Sequence, residues 1–212
     1  MIKAVIWDMD GVIIDSEPVY LQNVLKFAQE KNPAVTIEQL YGMVGATKKD
    51  NWTVCTNAIG NGQTWEEIRE EYRSRNYNAG VDYQKIFRPE VTEILEELHR
   101  RGYRVALASS TRLELVEHIL KLNGIYDQFE VVVSGNQFAR SKPDPEIYHH
   151  TAKLLGLKEE ECMAVEDSTV GITAGKAAGM TVAAIIDERF GFDQSLADYR
   201  IYRLKEIMNI LN

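Results

Sequence analysis

The sequence predicts an α/β fold: a doubly wound, Rossmann-like parallel sheet core with a helical unit inserted after the first strand. Three observations predict it. Short apolar runs, each closed by a polar or charged residue, recur along the chain; helical patterns with readable ends separate most of them; and between about residues 16 and 84 helix signatures continue with no strand among them. With 212 residues, 45% of them apolar, the chain can bury one substantial core and support a smaller appended unit. The expected division is residues 1–15 with 85–212 for the core and 16–84 for a helical cap.

The first run, Ile2-Lys3-Ala4-Val5-Ile6-Trp7, is short, β-branched and followed by Asp8-Met9-Asp10-Gly11, as a buried parallel strand ending in a turn would be. Leu21, Val24, Leu25 and Ala28 then make one helical stripe, and Thr36-Ile37-Glu38-Gln39 and Thr64-Trp65-Glu66-Glu67 read as capping boxes opening two more helices. Trp52 and Trp65 fall in this insert and are expected to fill its core. An insert rooted beside Asp8 and Asp10 is expected to lie over them as a lid that excludes water. The chain returns near Phe87-Arg88-Pro89.

Pro89 suits the first position of a helix that Gly102 ends, with Val91, Ile94, Leu95 and Leu98 as its buried stripe. The second strand is Tyr103-Arg104-Val105-Ala106-Leu107-Ala108, after which Thr111-Arg112-Leu113-Glu114 reads as a capping box for a helix closed by Gly124. Phe129-Glu130-Val131-Val132-Val133, Met163-Ala164-Val165 and Thr181-Val182-Ala183-Ala184-Ile185-Ile186 are the remaining strands. Asp144-Pro145 starts one intervening helix, and Ser168 and Gly179 bound another.

The bulk properties exclude several classes of partner. A formal charge of −8 with no basic stripe argues against nucleic acid or a membrane surface. No apolar stretch approaches the ~20 residues of a membrane span, and no secretory pattern opens the chain, so a cytoplasmic protein is expected. Its two cysteines, Cys55 and Cys162, are far apart and lack a CxxC partner, which indicates neither a disulfide framework nor a zinc site. The four histidines, His99, His118, His149 and His150, fall in helical patterns without HxxxH spacing and read as surface or half-buried residues. A monomer is expected, since no sustained heptad or exposed apolar strand asks for assembly.

Four segments gather chemistry at strand ends. Asp8 and Asp10 flank a turn, so one carboxylate can attack while the other moves protons. Ala108-Ser109-Ser110-Thr111, with Ser109 and Ser110 as the candidate phosphate ligands, follows the second strand and runs into a helix N-terminus, offering hydroxyls and backbone N–H groups to an anion. Lys142 stands in the rigid loop Ser141-Lys142-Pro143-Asp144-Pro145, a point charge for phosphate. Glu166 and Asp167 add two more acids, and Mg²⁺, which takes carboxylates, waters and substrate phosphate, would relieve their repulsion. Taken singly, each has a plainer reading: strand-end acids cap helices, serines serve turns, and loop lysines are solvated. Their joint occurrence at four strand ends in one order favours a single site.

In that order these segments resemble the haloacid dehalogenase-like hydrolases, over the length of the chain, and within them the branch with a small helical cap that includes β-phosphoglucomutase-like proteins and sugar-phosphate phosphatases. The resemblance implies that Asp8 is a nucleophile forming an aspartyl-phosphate and that Asp10 protonates the leaving group and then activates water. It implies that Ser109 and Lys142 hold the transferring phosphoryl group. It also implies Mg²⁺ bound by Asp8, the Asp10 carbonyl and Asp167, with Glu166 in or beside that set. The loop Gly42-Met43-Val44-Gly45-Ala46-Thr47-Lys48-Lys49 is the candidate for substrate specificity, through Gly45, Thr47 and Lys48, with Thr47 also placed to cap the next helix. Mutases of this branch carry an arginine in that loop and a histidine shortly after the first strand; this chain has lysines and Tyr20. The expectation is therefore a Mg²⁺-dependent phosphatase of small sugar or polyol phosphates, with β-phosphoglucomutase-type transfer as the alternative. Asp10 and the Glu166-Asp167 pair argue against dehalogenation, and the intact set argues against an inactive binding module.

Overall fold

The computed structural model describes residues 1–211. Strand β1 (Ala4–Trp7) leads into helices α1 (Glu17–Lys31), α2 (Lys48–Ile59), α3 (Trp65–Ser74) and α4 (Glu90–Arg100). Strands and helices then alternate: β2 (Arg104–Ser109), α5 (Leu113–Leu122), β3 (Val131–Ser134), α6 (Glu146–Leu154), β4 (Cys162–Glu166), α7 (Thr169–Ala177) and β5 (Thr181–Ile185), followed by β6 (Tyr199–Ile201) and a short α8 (Ile207–Ile210). The chain forms two compact units, Met1–Asp15 together with the chain from Tyr83 onward, and Ser16–Asp82.

The first unit carries the expected doubly wound sheet. Six strands, all parallel, run in the order β3-β2-β1-β4-β5-β6. In β1 Ile6 pairs with Ala106 on one side and Ala164 on the other, so β1 is central and all four of its residues are fully buried. That burial on both faces is why the strand reads as an unbroken apolar run. The order reverses direction between β1 and β4, and open sheets of this kind bind ligands at the carboxyl ends of the strands flanking such a switch. Asp8 closes one of these two strands and Glu166-Asp167 the other. On one face of the sheet Tyr148, Ile172 and Ala174 pack among alanines of β1, β2 and β4.

Several helix ends form as their residues dictate. Pro89 precedes α4 and Gly102 follows it at φ +82°; the Asp144 carboxylate accepts from the Glu146 N–H; Ser168 caps α7 by accepting from Gly171 N–H at 3.2 Å. In the second unit Thr47 and Thr64 cap α2 and α3, the latter with the full reciprocal box through Glu67. Its interior is aromatic: Phe27, Tyr72 and Tyr77 meet ring to ring, and Trp52 packs on Tyr72 at 5.1 Å.

Three readings are corrected. Thr36 does not open an α-helix: Glu38–Met43 is a 3₁₀ turn, and only the half of the box in which Gln39 accepts from the Thr36 N–H is seen. Thr111 does not cap α5, whose first flanking residue is Arg112 with no side-chain cap, because the Thr111 hydroxyl is engaged elsewhere. An unused cap of this type forfeits about 1 kcal/mol. A sixth strand, β6, went unread because Tyr199-Arg200-Ile201 is a three-residue edge strand whose first two residues are exposed, which leaves no apolar run to find. Its place is fixed instead by Asp198, which accepts from Val182 N–H and pairs with Lys176.

Candidate active site

Asp8 continues β1 by one residue, donating its backbone N–H to the Val165 carbonyl of β4 at 3.0 Å, so its side chain emerges at the switch point on a fixed backbone. Gly11 turns the chain sharply there at φ +75°. A Cβ at Gly11 would stand 1.9 Å from Asp167 Oδ2, so the turn needs glycine for its conformation and again for the space Asp167 occupies.

Lys142 reaches the same point from the loop before α6. Its Nζ lies 2.8 Å from Asp8 Oδ1, 2.5 Å from Glu166 Oε1 and 2.9 Å from the Ala108 carbonyl, which uses all three ammonium protons. The group is almost fully buried, as are Asp8, Glu166 and Asp167. Burial works against the ammonium, but Asp8 and Glu166 outweigh it and hold the Lys142 pKa well above the usual lysine value. Burial pushes the Glu166 carboxyl up to about 7, with Lys142 pulling it the other way.

Among the described residues, Asp8, Glu166 and Asp167 are the acidic group whose ligand oxygens all fall within 4.8 Å of one another. Three buried carboxylates against one ammonium leave an excess of negative charge that a protein interior tolerates poorly. Glu166 Oε2 is buried with no hydrogen-bond partner, and a Cβ at Gly171 would lie 2.0 Å from it, so α7 presents a glycine to make room for that oxygen. All-oxygen donors, excess negative charge and an unsatisfied buried carboxylate oxygen suit a hard divalent cation.

The remaining expected residues are placed as follows. Ser109 is fully buried at the end of β2, where its Oγ accepts from Thr111 N–H at 3.1 Å, while Ser110 is exposed on the same loop. Asp10 is half-buried, and its Oδ2 accepts from the Thr111 hydroxyl at 2.7 Å. Gly45 (φ +68°), Thr47 and Lys48 belong to the second unit. There the Thr47 hydroxyl is committed to Asp50 at 2.6 Å, and Lys48 is exposed. None of the four histidines belongs to the acidic group. His149 contacts Glu159, and His99 contacts the Gln128 carbonyl.

Three participants were missed in the sequence. Tyr148, fully buried in α6, donates its hydroxyl to Glu166 Oε1 at 2.5 Å and lays its ring 4.9 Å from Lys142 Nζ. Gln194, buried in the loop after β5, donates from Nε2 to the carbonyls of Asp167 and Ile185 at 2.6 and 2.8 Å and so fixes the Asp167 backbone. Thr111, read as part of an anion-binding segment and as a cap, is the third through its contact with Asp10. A tyrosine among helical apolar positions and a glutamine in a polar loop carry no local signal; for Thr111 the signal was present and pointed to a cap.

The haloacid dehalogenase-like hydrolase pattern matches residues 5–185, and the chain belongs to that family. It is 28% identical over 225 residues to the phosphorylated carbohydrates phosphatase of Thermotoga maritima, covering 99% of this chain and 98% of that one. It is 29% identical over 216 residues to hexitol phosphatase B of Escherichia coli, covering 97% and 94%. A β-phosphoglucomutase of Clostridium difficile aligns in three dimensions over 99% of this chain and 96% of its own with a TM-score of 0.76; at 20% identity that likeness concerns the fold alone. No helix of the described residues is long and apolar enough to cross a membrane.

Proposed function

We propose that the protein is a Mg²⁺-dependent phosphatase of small phosphorylated metabolites, of the sugar or polyol phosphate class, working through a phosphoaspartate on Asp8. The observation that carries this reading is Lys142 Nζ lying between Asp8 and Glu166 at the switch point of the sheet, an arrangement that supports Asp8 as nucleophile and Lys142 as phosphate-binding cation beside the acidic group. Family membership and the names of the two related phosphatases support it.

In the proposed reaction an Asp8 oxygen attacks phosphorus in line with the ester bond, which breaks as Asp10 gives its proton to the leaving oxygen. Water then attacks the phosphoaspartate, Asp10 takes the water's proton, and Asp8 is released as carboxylate with inorganic phosphate. Lys142, which would exchange its hydrogen bond to Asp8 for one to the phosphoryl group, the Ser109 hydroxyl and backbone N–H groups around Ser110 hold the equatorial oxygens and offset their charge. Asp8, Asp167, Glu166 and the Asp10 carbonyl are the residues that would hold Mg²⁺. When bound, the ion supplies the positive charge that lets a carboxylate approach a phosphate dianion. Of the cap residues, Thr47 is used by its own helix, which leaves Lys48 and the backbone at Gly45 as the proposed contacts to substrate oxygens.

The test is phosphate release from a panel of sugar, polyol and three-carbon phosphates, with Mg²⁺ and with EDTA. Turnover of at least one class that needs the metal is expected. Failure to hydrolyse any phosphomonoester with Mg²⁺ present would remove the reading.

A further inference from the structure

We propose that Thr111 is a positioning residue for Asp10: its hydroxyl holds the Asp10 carboxyl in the one orientation from which it can serve the leaving oxygen. The inference rests on the phosphatase reading above, in which Asp10 is the acid.

Thr111 is held at three points. Its backbone N–H donates to Ser109 Oγ at 3.1 Å, its carbonyl accepts from Ser134 Oγ at 2.6 Å, and its own Oγ1 donates to Asp10 Oδ2 at 2.7 Å. Both serines are fully buried, and they stand opposite each other in register at the carboxyl ends of β2 and β3. The sheet itself therefore fixes the Thr111 backbone. Asp10 stands in the turn between β1 and α1, where its backbone bridges to Ile14.

A hydroxyl 2.7 Å from Oδ2 on a braced backbone fixes the rotation of the Asp10 carboxyl group. A carboxyl held in one orientation presents its oxygens along fixed lines, and a general acid is effective only when it lies within hydrogen-bond reach of the leaving oxygen. Helix α5 itself begins after Arg112, which supplies no side-chain cap. Ser109 serves both ends of this arrangement, since the hydroxyl proposed for phosphate also receives the Thr111 N–H.

The test compares kcat/KM at saturating Mg²⁺ on p-nitrophenyl phosphate, whose phenolate leaves without a proton, and on glycerol 2-phosphate, whose alkoxide needs one. Thr111→Val keeps the shape and removes the hydroxyl; it is expected to lower the alkyl-to-aryl ratio tenfold or more. Thr111→Ser, which keeps the donor, is expected to hold the ratio within about threefold, since general acid catalysis contributes ~10²–10⁴-fold in rate and a retained donor preserves it. Asp10→Asn, which removes the acid, is expected to lower the ratio at least as far as Thr111→Val. If Asp10→Asn collapses the ratio and Thr111→Val leaves it unchanged or lowers both substrates equally, Thr111 is only a brace of the loop and the inference is overturned while the phosphatase reading stands. If Asp10→Asn leaves the ratio unchanged, the acid role fails and takes the inference with it; if the wild type hydrolyses neither ester, the phosphatase reading fails first.

Discussion

The Tyr148 hydroxyl and Glu166 Oε1 are 2.5 Å apart inside the core, and Lys142 Nζ approaches the same oxygen at the same distance. One carboxylate oxygen thus receives two donors while its twin, Oε2, receives none. Tyr148→Phe keeps the ring beneath Lys142 and removes only the hydroxyl. A hydrogen bond to a charged group contributes about 1.5–3 kcal/mol, and Lys142 remains to satisfy Oε1, so a loss of about 1–2 kcal/mol is expected in urea denaturation of the metal-free protein. Equal stability of the two proteins would show that the hydroxyl does not matter to the network.

Gly171 separates two opposing effects. Alanine at a helical glycine ordinarily adds about 1 kcal/mol through backbone propensity. Here the added methyl would meet Glu166 Oε2 at 2.0 Å, within a fully buried carboxylate that has no room to retreat, and overpacking of this kind costs about 1–3 kcal/mol. Gly171→Ala is therefore expected to destabilise by about 1 kcal/mol and to weaken the proposed Mg²⁺ binding measured by calorimetry. A more stable variant with unchanged affinity would contradict the placement of Oε2.

Asp8→Asn removes the proposed nucleophile and also one of three crowded negative charges. Turnover is expected to fall by at least about 10³-fold, because the amide cannot form the covalent intermediate. The fold should survive, since Lys142 keeps Glu166 and the Ala108 carbonyl as partners. Substantial phosphate release by this variant, with an unchanged circular dichroism spectrum, would exclude a covalent route through Asp8.

Away from the site, Arg100 and Arg101 hydrogen-bond Glu97 and hold its carboxyl down at about 2. A depressed carboxyl stabilises the fold above its unfolded value, 4.5, and that contribution disappears as the pH falls through about 2. Glu97→Gln should accordingly be slightly less stable at pH 7, by an amount that solvent screening of the pair keeps small, and should converge with the parent near pH 2, so that its acid limb is flatter. Urea midpoints measured from pH 5 to pH 2 check this; superimposable acid limbs would count against the ion pair.

Much of the core was legible because parallel strands buried on both faces are necessarily apolar runs, and β1, β2, β4 and β5 all announce themselves in that way. The strand that escaped, β6, is an edge held by Asp198 rather than by its own apolar content. Thr111 shows the limit most clearly. Its sequence context is that of a helix cap, and local pattern cannot reveal that a carboxylate 101 residues away competes for the same hydroxyl.

The sequence alone determined the element types, their alternation, and the presence of acids, serines and a lysine at strand ends, because those properties follow from periodicity and turn chemistry within a few residues. Tertiary structure alone decided which of them meet. Lys142 between Asp8 and Glu166, the glycines that leave space for Asp167 and Glu166, and the buried Tyr148 and Gln194 are contacts between segments distant in the chain. Such contacts are selected by the packing of a whole sheet, where burial turns each unmatched charge or hydroxyl into a strong constraint on its neighbours.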